Sequence, residues 1–380
     1  MPPLPVAAFA ARLPATTELL RTLVEMESPS TDKQAIDRLG EFVAERMAGL
    51  GAVVQRLTQA RAGDHWIGQW GTGGGGFLLL AHLDTVYPLG TLASMPWREE
   101  DGRIYGPGVL DMKASVAMAL TAIEALRQAG RLPDRRLTLL CTSDEETGSH
   151  SSRGLIERLA AEHDLTLCLE PSLPDGALKT QRKGVGVFHL ETRGRAAHAG
   201  AEPEKGINAI VEMAHQVLRV SELGDGSRGT TLNVGVVQGG TRSNVVPDVC
   251  RARVDLRADT AEEAARVQRA MTSLAPVLPG ATISVEGGLN RPPMPRTAPI
   301  ARAFEQAQAI GARLGLQLCE GATGGGSDAN FLAPLDLPVL DGLGAVGESA
   351  HSEREHLQVQ SLVERTALLA ALITEWQAAP

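Results

Sequence analysis

Two rhythms of apolar and polar positions run along this chain, and the change from one to the other marks its organisation. In the first part, stretches with apolar residues at helical spacing alternate with short, continuous apolar runs. Helices are predicted over residues 17–26 and 32–50, the second closed by Gly51. Strands are predicted over Val53–Leu57, 66–70 and 77–82. A helix over residues 112–128 ends near Gly130, and the strand "RLTLLCTS", a helix over 154–161 and the strand "LTLCLE" follow. Strands alternating with helices predict an α/β fold: a mainly parallel sheet with helices on both faces.

After Pro171 the order changes. "GVGVFHLETRG" reads as a strand, and residues 204–220 carry Ile207, Ile210, Val211, Ala214, Val217 and Leu218 at helical spacing. The strands "TLNVGVVQ" and "VCRARVDLRA", a helix over 261–275 and the strand "ATISVEG" complete a βαββαβ unit of ferredoxin-like type. From Pro292 the α/β pattern resumes with a helix over 300–314, the strand "LPVLDGLG" and a helix over 359–376. The expected organisation is one α/β domain formed by residues 1–182 and 291–380, with a smaller domain, 183–290, inserted into it.

A length of 380 residues suits two cores better than one. The net charge of −9, with no cluster of Lys and Arg, argues against nucleic acid or an anionic membrane as partner. No apolar run approaches the roughly 20 residues of a spanning helix. The start, "MPPLPVAAFAARLPATTELL", has no basic n-region, so no signal peptide is expected. Cys141, Cys168, Cys250 and Cys319 form no Cys-x-x-Cys pair and read as free thiols, which fits a cytoplasmic protein. The Gly-rich segments "GTGGGG" and "TGGGSDAN" lack the Lys of a phosphate loop and read as turns.

The chemistry gathers at strand ends. In "LLLAHLDTVYPLG" a buried strand runs directly into His82 and Asp84, which share a face if the extended geometry continues. Asp111 follows the turn "YGPGVL". Glu145 and Glu146 follow "LTLLCTS", Glu170 ends "LTLCLE", and His351 lies in the loop "GESAHSEREH". Ligands collect at the carboxyl ends of strands in open α/β sheets. Each residue alone would pass as a helix cap or a solvated loop charge. Together, two imidazoles and three carboxylates supply a two-metal hydrolytic site, with one carboxylate shared between ions about 3.5–4 Å apart. A further carboxylate is then free to move a proton, and the pair Glu145-Glu146 offers one residue for each task.

The motifs "AHLDTVYPLGTL", "YGPGVLDMK", "TSDEETGSHSSRGL", "CLEPS", "GRAAHAGAEPEKGINAI", "GGTRSNVVPD", "TGGGSDANF" and "DGLGAVGESAHSE" span nearly the whole chain in order. The sequence resembles the di-zinc exopeptidase family that contains aminoacylase, acetylornithine deacetylase, succinyl-diaminopimelate desuccinylase and glutamate carboxypeptidase, and most of all the last type. That resemblance implies two Zn2+ per subunit, with Co2+ or Mn2+ as substitutes. Asp111 would bridge them, His82 and Glu170 would bind one, and Glu146 and His351 the other. Glu145 would be the general base that activates water and protonates the leaving amine. Asp84 would hold the His82 ring, and the Asp111–Met112 peptide would be cis.

The resemblance also assigns the inserted domain to dimerisation and to a lid. His198 would reach the partner subunit's site to polarise the scissile carbonyl, and Asn244, Arg257, Arg291 and Gly326 would bind substrate. Ala114 and Ser115 stand where relatives often carry glycines, a departure that spares every ligand. The implied enzyme is a homodimeric amidohydrolase releasing a C-terminal amino acid, glutamate first, from N-acyl, folate-like or peptidyl small molecules. An N-acyl-amino-acid deacylase uses the same chemistry and is the alternative. A non-catalytic binding protein on the same scaffold is a remoter one, disfavoured because the full ligand set and the base are present.

Overall fold

Continuous burial from Phe77 to Thr85 means that this part of the chain is covered on both sides, as a strand inside a parallel sheet must be. The computed structural model, which describes residues 2–378, places Gly73–His82 between two parallel neighbours, Arg135–Thr142 and Leu165–Cys168. Val339–Leu340 extends the sheet in parallel beyond Leu165–Cys168. On the other side, His65–Trp70 and Val53–Leu57 add antiparallel strands. The helices Ala114–Gln128 and Val359–Glu375 pack on each other and are buried almost all round. Alanines at 117, 119, 122, 367, 370 and 371 are buried in these two helices, and such small side chains suit a close approach.

The chain divides into two units. The first comprises Met1–Thr180, Arg296–Thr323 and Ser327–Pro380; the second comprises Gln181–Pro295 and Gly324–Gly326. Each has its own apolar core. The second unit carries a four-stranded antiparallel sheet, ordered Thr231–Gly239, Val249–Ala258, Gly184–Arg193, Thr282–Arg291, with helices Ala209–Ser221 and Ala261–Thr272. Along the chain these elements run strand–helix–strand–strand–helix–strand.

Two departures from the pattern-based expectation have a clear local cause. The helix expected from residue 204 starts at Ala209, because the Asn208 side chain accepts from the amides of Ile210 and Val211 and caps it there. Ile207, which fits the helical spacing, instead bridges to Arg195 in extended backbone. The strand "LPVLDGLG" is cut to Val339–Leu340. Past it, Gly344 passes so close to the Glu170 backbone that a Cβ would meet Leu169 O at 2.6 Å and Glu170 O at 2.7 Å.

An ion cluster around the buried Asp64 fixes the helix Lys33–Gly49 to the strand Val53–Leu57. Asp64, whose side chain has no exposed surface, pairs with Lys33, accepts from Arg56 Nε at 2.6 Å and accepts from the Gln59 amide at 2.8 Å. Burial alone would raise this carboxyl, but Lys33, the Gln59 amide and Arg56 outweigh it and hold it at about 2. A folded value below the ordinary one means stabilisation that is complete above pH of about 4 and lost as pH falls towards 2. Asp64→Asn is expected to cost roughly 2 kcal/mol near neutral pH. Urea unfolding should show that deficit, and the gap from wild type should narrow as the solution is acidified through this window.

Candidate metal centre

Three adjacent parallel strands deliver most of the site to one edge of the sheet. Leu79 pairs with both Leu139 and Leu167, so the strand ends lie level. His82 is the last residue of its strand, Glu145 and Glu146 open the turn after Arg135–Thr142, and Glu170 stands just past Leu165–Cys168. Asp111 comes from the turn that leads into the helix Ala114–Gln128, and its peptide bond to Met112 is cis. Gly108 makes that turn possible. Its φ is +68°, and a Cβ there would sit 2.6 Å from Thr85 Cγ2.

His351 is carried by a hairpin whose strands, Gly347–Glu348 and His356–Gln358, pair antiparallel. The second of these also pairs with Arg103–Tyr105, the strand that feeds the Asp111 turn. This small sheet, which the hydrophobic pattern did not reveal, brings His351 to Asp111. His351 itself lies at φ +62°, a left-handed conformation uncommon for a non-glycine residue.

The geometry divides around one carboxylate. Asp111 Oδ1 lies 3.2 Å from His82 Nε2, which is 3.6 Å from Glu170 Oε1. Asp111 Oδ2 lies 3.2 Å from His351 Nε2, which is 3.2 Å from Glu146 Oε1. Donor atoms of His82, Glu145 and Glu170, and again of His82, Asp111 and Glu146, lie within 4.8 Å of one another. Ligand atoms on one tetrahedral zinc, with bonds of about 2.1 Å, stand roughly 3.4 Å apart. The donor types and their spacing fit a metal pair sharing Asp111.

The electrostatics point the same way. Burial opposes charge on His82, yet Asp111, with Glu145 and Asp84 behind it, raises this imidazole well above its ordinary value. Hydrogen bonds to Asp111 and Glu146 push His351 up to about 11. Burial would raise the Asp111 carboxyl, but both imidazoles hold it far below the carboxylate range, while burial raises Glu146. A cluster that draws protons this strongly is one in which a bound cation is favoured.

Asp84 has a different set of contacts from the expected one. The His82 Nδ1 atom faces the Asp84 backbone carbonyl at 2.9 Å, and the Asp84 carboxylate only at 3.6 Å. That carboxylate accepts from the amides of Glu145 at 3.2 Å and Glu146 at 3.1 Å, and from Ser30 Oγ at 2.8 Å. It therefore fixes the turn that carries both glutamates, and its main chain fixes the ring.

The remaining expected residues belong to the second unit, including Arg291, which the expected boundary assigned to the α/β domain. His198 is exposed, and its Nδ1 accepts from the amides of Gly200 at 3.2 Å and Ala201 at 3.0 Å. A neutral ring so held carries its proton on Nε2. Asn244 is exposed and its carbonyl accepts from the Ala199 amide. Arg257 forms a two-pronged pair with Asp255 at 2.9 and 3.0 Å and donates to Gly324 O. Arg291 is buried and donates to Asn290 Oδ1, and a Cβ on Gly326 would come within 3.0 Å of Arg291 Cδ.

Sequence reasoning passed over Glu355 and Tyr87. Glu355, four residues after His351, is fully buried and accepts from the amide of Asp111 itself, and Tyr87 donates to it. Only the proximity to His351 in the sequence hinted at a role, since loop glutamates are ordinarily solvated.

Comparison with known proteins gives a consistent result. The family model for peptidase family M20/M25/M40 matches residues 78–375. Carboxypeptidase G2 from Pseudomonas sp. (strain RS-16) is 32% identical over 373 residues, covering 95% of this chain and 89% of that protein. Succinyl-diaminopimelate desuccinylase from Dechloromonas aromatica (strain RCB) is 29% identical, covering 88% and 92%. The crystal structure of a tripeptidase from Staphylococcus aureus superposes with a TM-score of 0.79 at 21% identity, covering 95% of this chain and 98% of that one.

The contacts of Asp84 yield a graded expectation. Asp84→Asn keeps one acceptor oxygen for the Glu145-Glu146 turn, and Asp84→Ala keeps none. Metal affinity or turnover is expected to fall about tenfold in the first and a hundredfold in the second. Equal effects of the two variants in metal titration and initial-rate assays would contradict the turn-fixing role.

Proposed function

The chain belongs to peptidase family M20/M25/M40 and hydrolyses amide bonds, and from that premise we propose that it releases a C-terminal amino acid, glutamate first, from N-acyl, folate-like or peptidyl substrates. The observation that carries its hydrolytic centre is the position of Asp111, whose two oxygens each face one imidazole, and the similarity to Carboxypeptidase G2 supports the substrate class. His82 and Glu170 would hold one zinc ion with Asp111, and His351 and Glu146 a second. When bound, such a pair supplies Lewis acidity and makes water a nucleophile at neutral pH.

The chain's own groups do the rest. Glu145 takes a proton from the attacking water and delivers it to the leaving nitrogen as the C–N bond breaks. A water is consumed, and a carboxylate and an amine are produced. His198 presents an Nε2–H to the carbonyl oxygen on which negative charge develops. Asn244, Arg257 and Arg291, with Gly326 beside Arg291, receive the substrate's carboxylate and carbonyl oxygen; a planar guanidinium bonds both oxygens of a carboxylate.

The protein acts as a homodimer joined through its second unit, with His198 of one subunit serving the centre of the other. Exposed Ile210, Val211 and Leu218 on the helix Ala209–Ser221, and Val236 and Val237 on the edge strand Thr231–Gly239, support that assembly. The second reading, an N-acyl-amino-acid deacylase, is favoured by the match to succinyl-diaminopimelate desuccinylase over 88% of the chain. Initial rates of zinc-loaded protein on N-acyl glutamates, dipeptides, folates and N-acyl diamino acids separate the two. Preference for the last class would replace the first reading with the second.

Two variants separate the adjacent glutamates. Glu145→Gln is expected to keep both metals and lose kcat by several powers of ten, whereas Glu146→Gln weakens one metal site. Metal analysis beside steady-state rates checks both, and near-normal turnover of Glu145→Gln would overturn its role.

The trans arrangement is tested by mixing. His198→Ala should retain zinc and the dimer while kcat drops roughly a hundredfold or more. When this protein exchanges subunits with Glu145→Gln, mixed dimers contain one site with both residues intact, and activity should return. If verified exchange restores nothing, His198 serves its own chain or has no part.

A further inference from the structure

The buried carboxylate of Glu355 lies outside the ligand set, yet every hydrogen bond it makes runs toward that set. Its Oε1 accepts from the amides of Leu110 at 2.8 Å and Asp111 at 3.0 Å. Its Oε2 accepts from the amide of Gly108 at 3.1 Å and from the Tyr87 hydroxyl at 2.6 Å. Each oxygen is thus doubly engaged, and the residue has no exposed surface. Tyr87 Oη also lies 3.0 Å from Ser352 O, in the loop that joins His351 to Glu355.

These bonds connect three loops that each bear on the metal ligands. Tyr87 follows the strand that ends in His82, the Gly108–Asp111 turn presents the shared carboxylate, and the Ser352–Glu355 segment follows His351. The Asp111 turn has irregular backbone, with φ/ψ of −115°/94° at Asp111; the amides of Val109 and Lys113 reach the carbonyls of Gly106 and Gly108, while those of Gly108, Leu110 and Asp111 turn to Glu355. Glu355 satisfies these three amides at once.

Resting on the two-metal reading above, we propose that Glu355, locked by Tyr87, is the positioning residue of the centre: it sets the Asp111 carboxylate between the two imidazoles and couples that turn to the His351 hairpin. It acts through backbone amides rather than through any ligand side chain. Gln at this position keeps one acceptor oxygen for Leu110 and Asp111 but turns an NH2 group toward the Gly108 amide. Ala removes all four bonds.

The test compares Glu355→Gln, Glu355→Ala and Tyr87→Phe with wild type, using Zn2+ titration against a chromophoric chelator and the visible absorption of Co2+-loaded protein. Affinity for at least one ion is expected to fall about tenfold in Glu355→Gln and about a hundredfold in Glu355→Ala, with a smaller loss in Tyr87→Phe. The Co2+ bands should change shape in step, because the shared carboxylate is displaced. A lower Tm with unchanged affinity and unchanged bands would make Glu355 an ordinary loop anchor and overturn the proposal. Should Glu355→Ala fail to fold, Glu355→Gln and Tyr87→Phe decide it by the same two readouts. Wild-type protein that takes up neither Zn2+ nor Co2+ would remove the centre itself, and the proposal with it.

Discussion

Repulsion among carboxylates is the constraint from which the first unit is best understood. Asp111, Glu145, Glu146 and Glu170 converge on two imidazoles at the end of a largely apolar sheet. Removing several anions from water and crowding them is costly unless positive charge is supplied among them. Protons on the imidazoles would answer part of that demand, which is why both histidines are raised and Asp111 is lowered. Divalent cations, taking the place of those protons, would supply more. Apolar surroundings sharpen this demand, because a low local dielectric strengthens every charge–charge term.

Support around the ligands comes mostly from main chain. Asp84 gathers the amides of Glu145 and Glu146, Glu355 gathers those of Gly108, Leu110 and Asp111, and Gly344 lies against the Glu170 carbonyl. Short irregular segments after strands leave unsatisfied amides, and buried carboxylates are suited to collect them. Two acidic side chains therefore shape the centre without lying in its ligand set.

The residues that converge at the sheet edge were legible in the sequence because acidic residues and imidazoles interrupt apolar strands, where their cost demands a reason. His82 after "LLLA" is the clearest instance. The sheet and the βαββαβ order followed from periodicity alone, since strand and helix place apolar residues at different intervals. Glu355 was not legible, because its burial depends on a hairpin of two- and three-residue strands too short to carry a pattern. The pairing of Arg257 with Asp255 was hidden for a related reason. A two-residue spacing puts both on one face of a strand, but sequence does not say whether they meet each other or a ligand. The start of the helix at Ala209 turned on one Asn cap, a local bond that outweighed the hydrophobic spacing of Ile207.

The split of the first unit has a consequence for how the protein is made. His82, Asp111, Glu145, Glu146 and Glu170 all precede the second unit in the chain, while His351 and Glu355 follow it. A ribosome therefore finishes the second unit, which is nearly continuous in sequence and has its own core, before the last imidazole leaves the exit tunnel. Until then the nascent first unit lacks the hairpin, the strand Val339–Leu340 and the buried helix Val359–Glu375. Its acidic cluster stands with one imidazole instead of two, and its sheet with an uncovered edge. Contacts that close so great a sequence separation form late and slowly, so the interval between synthesis and completion is when this chain most needs protection from aggregation.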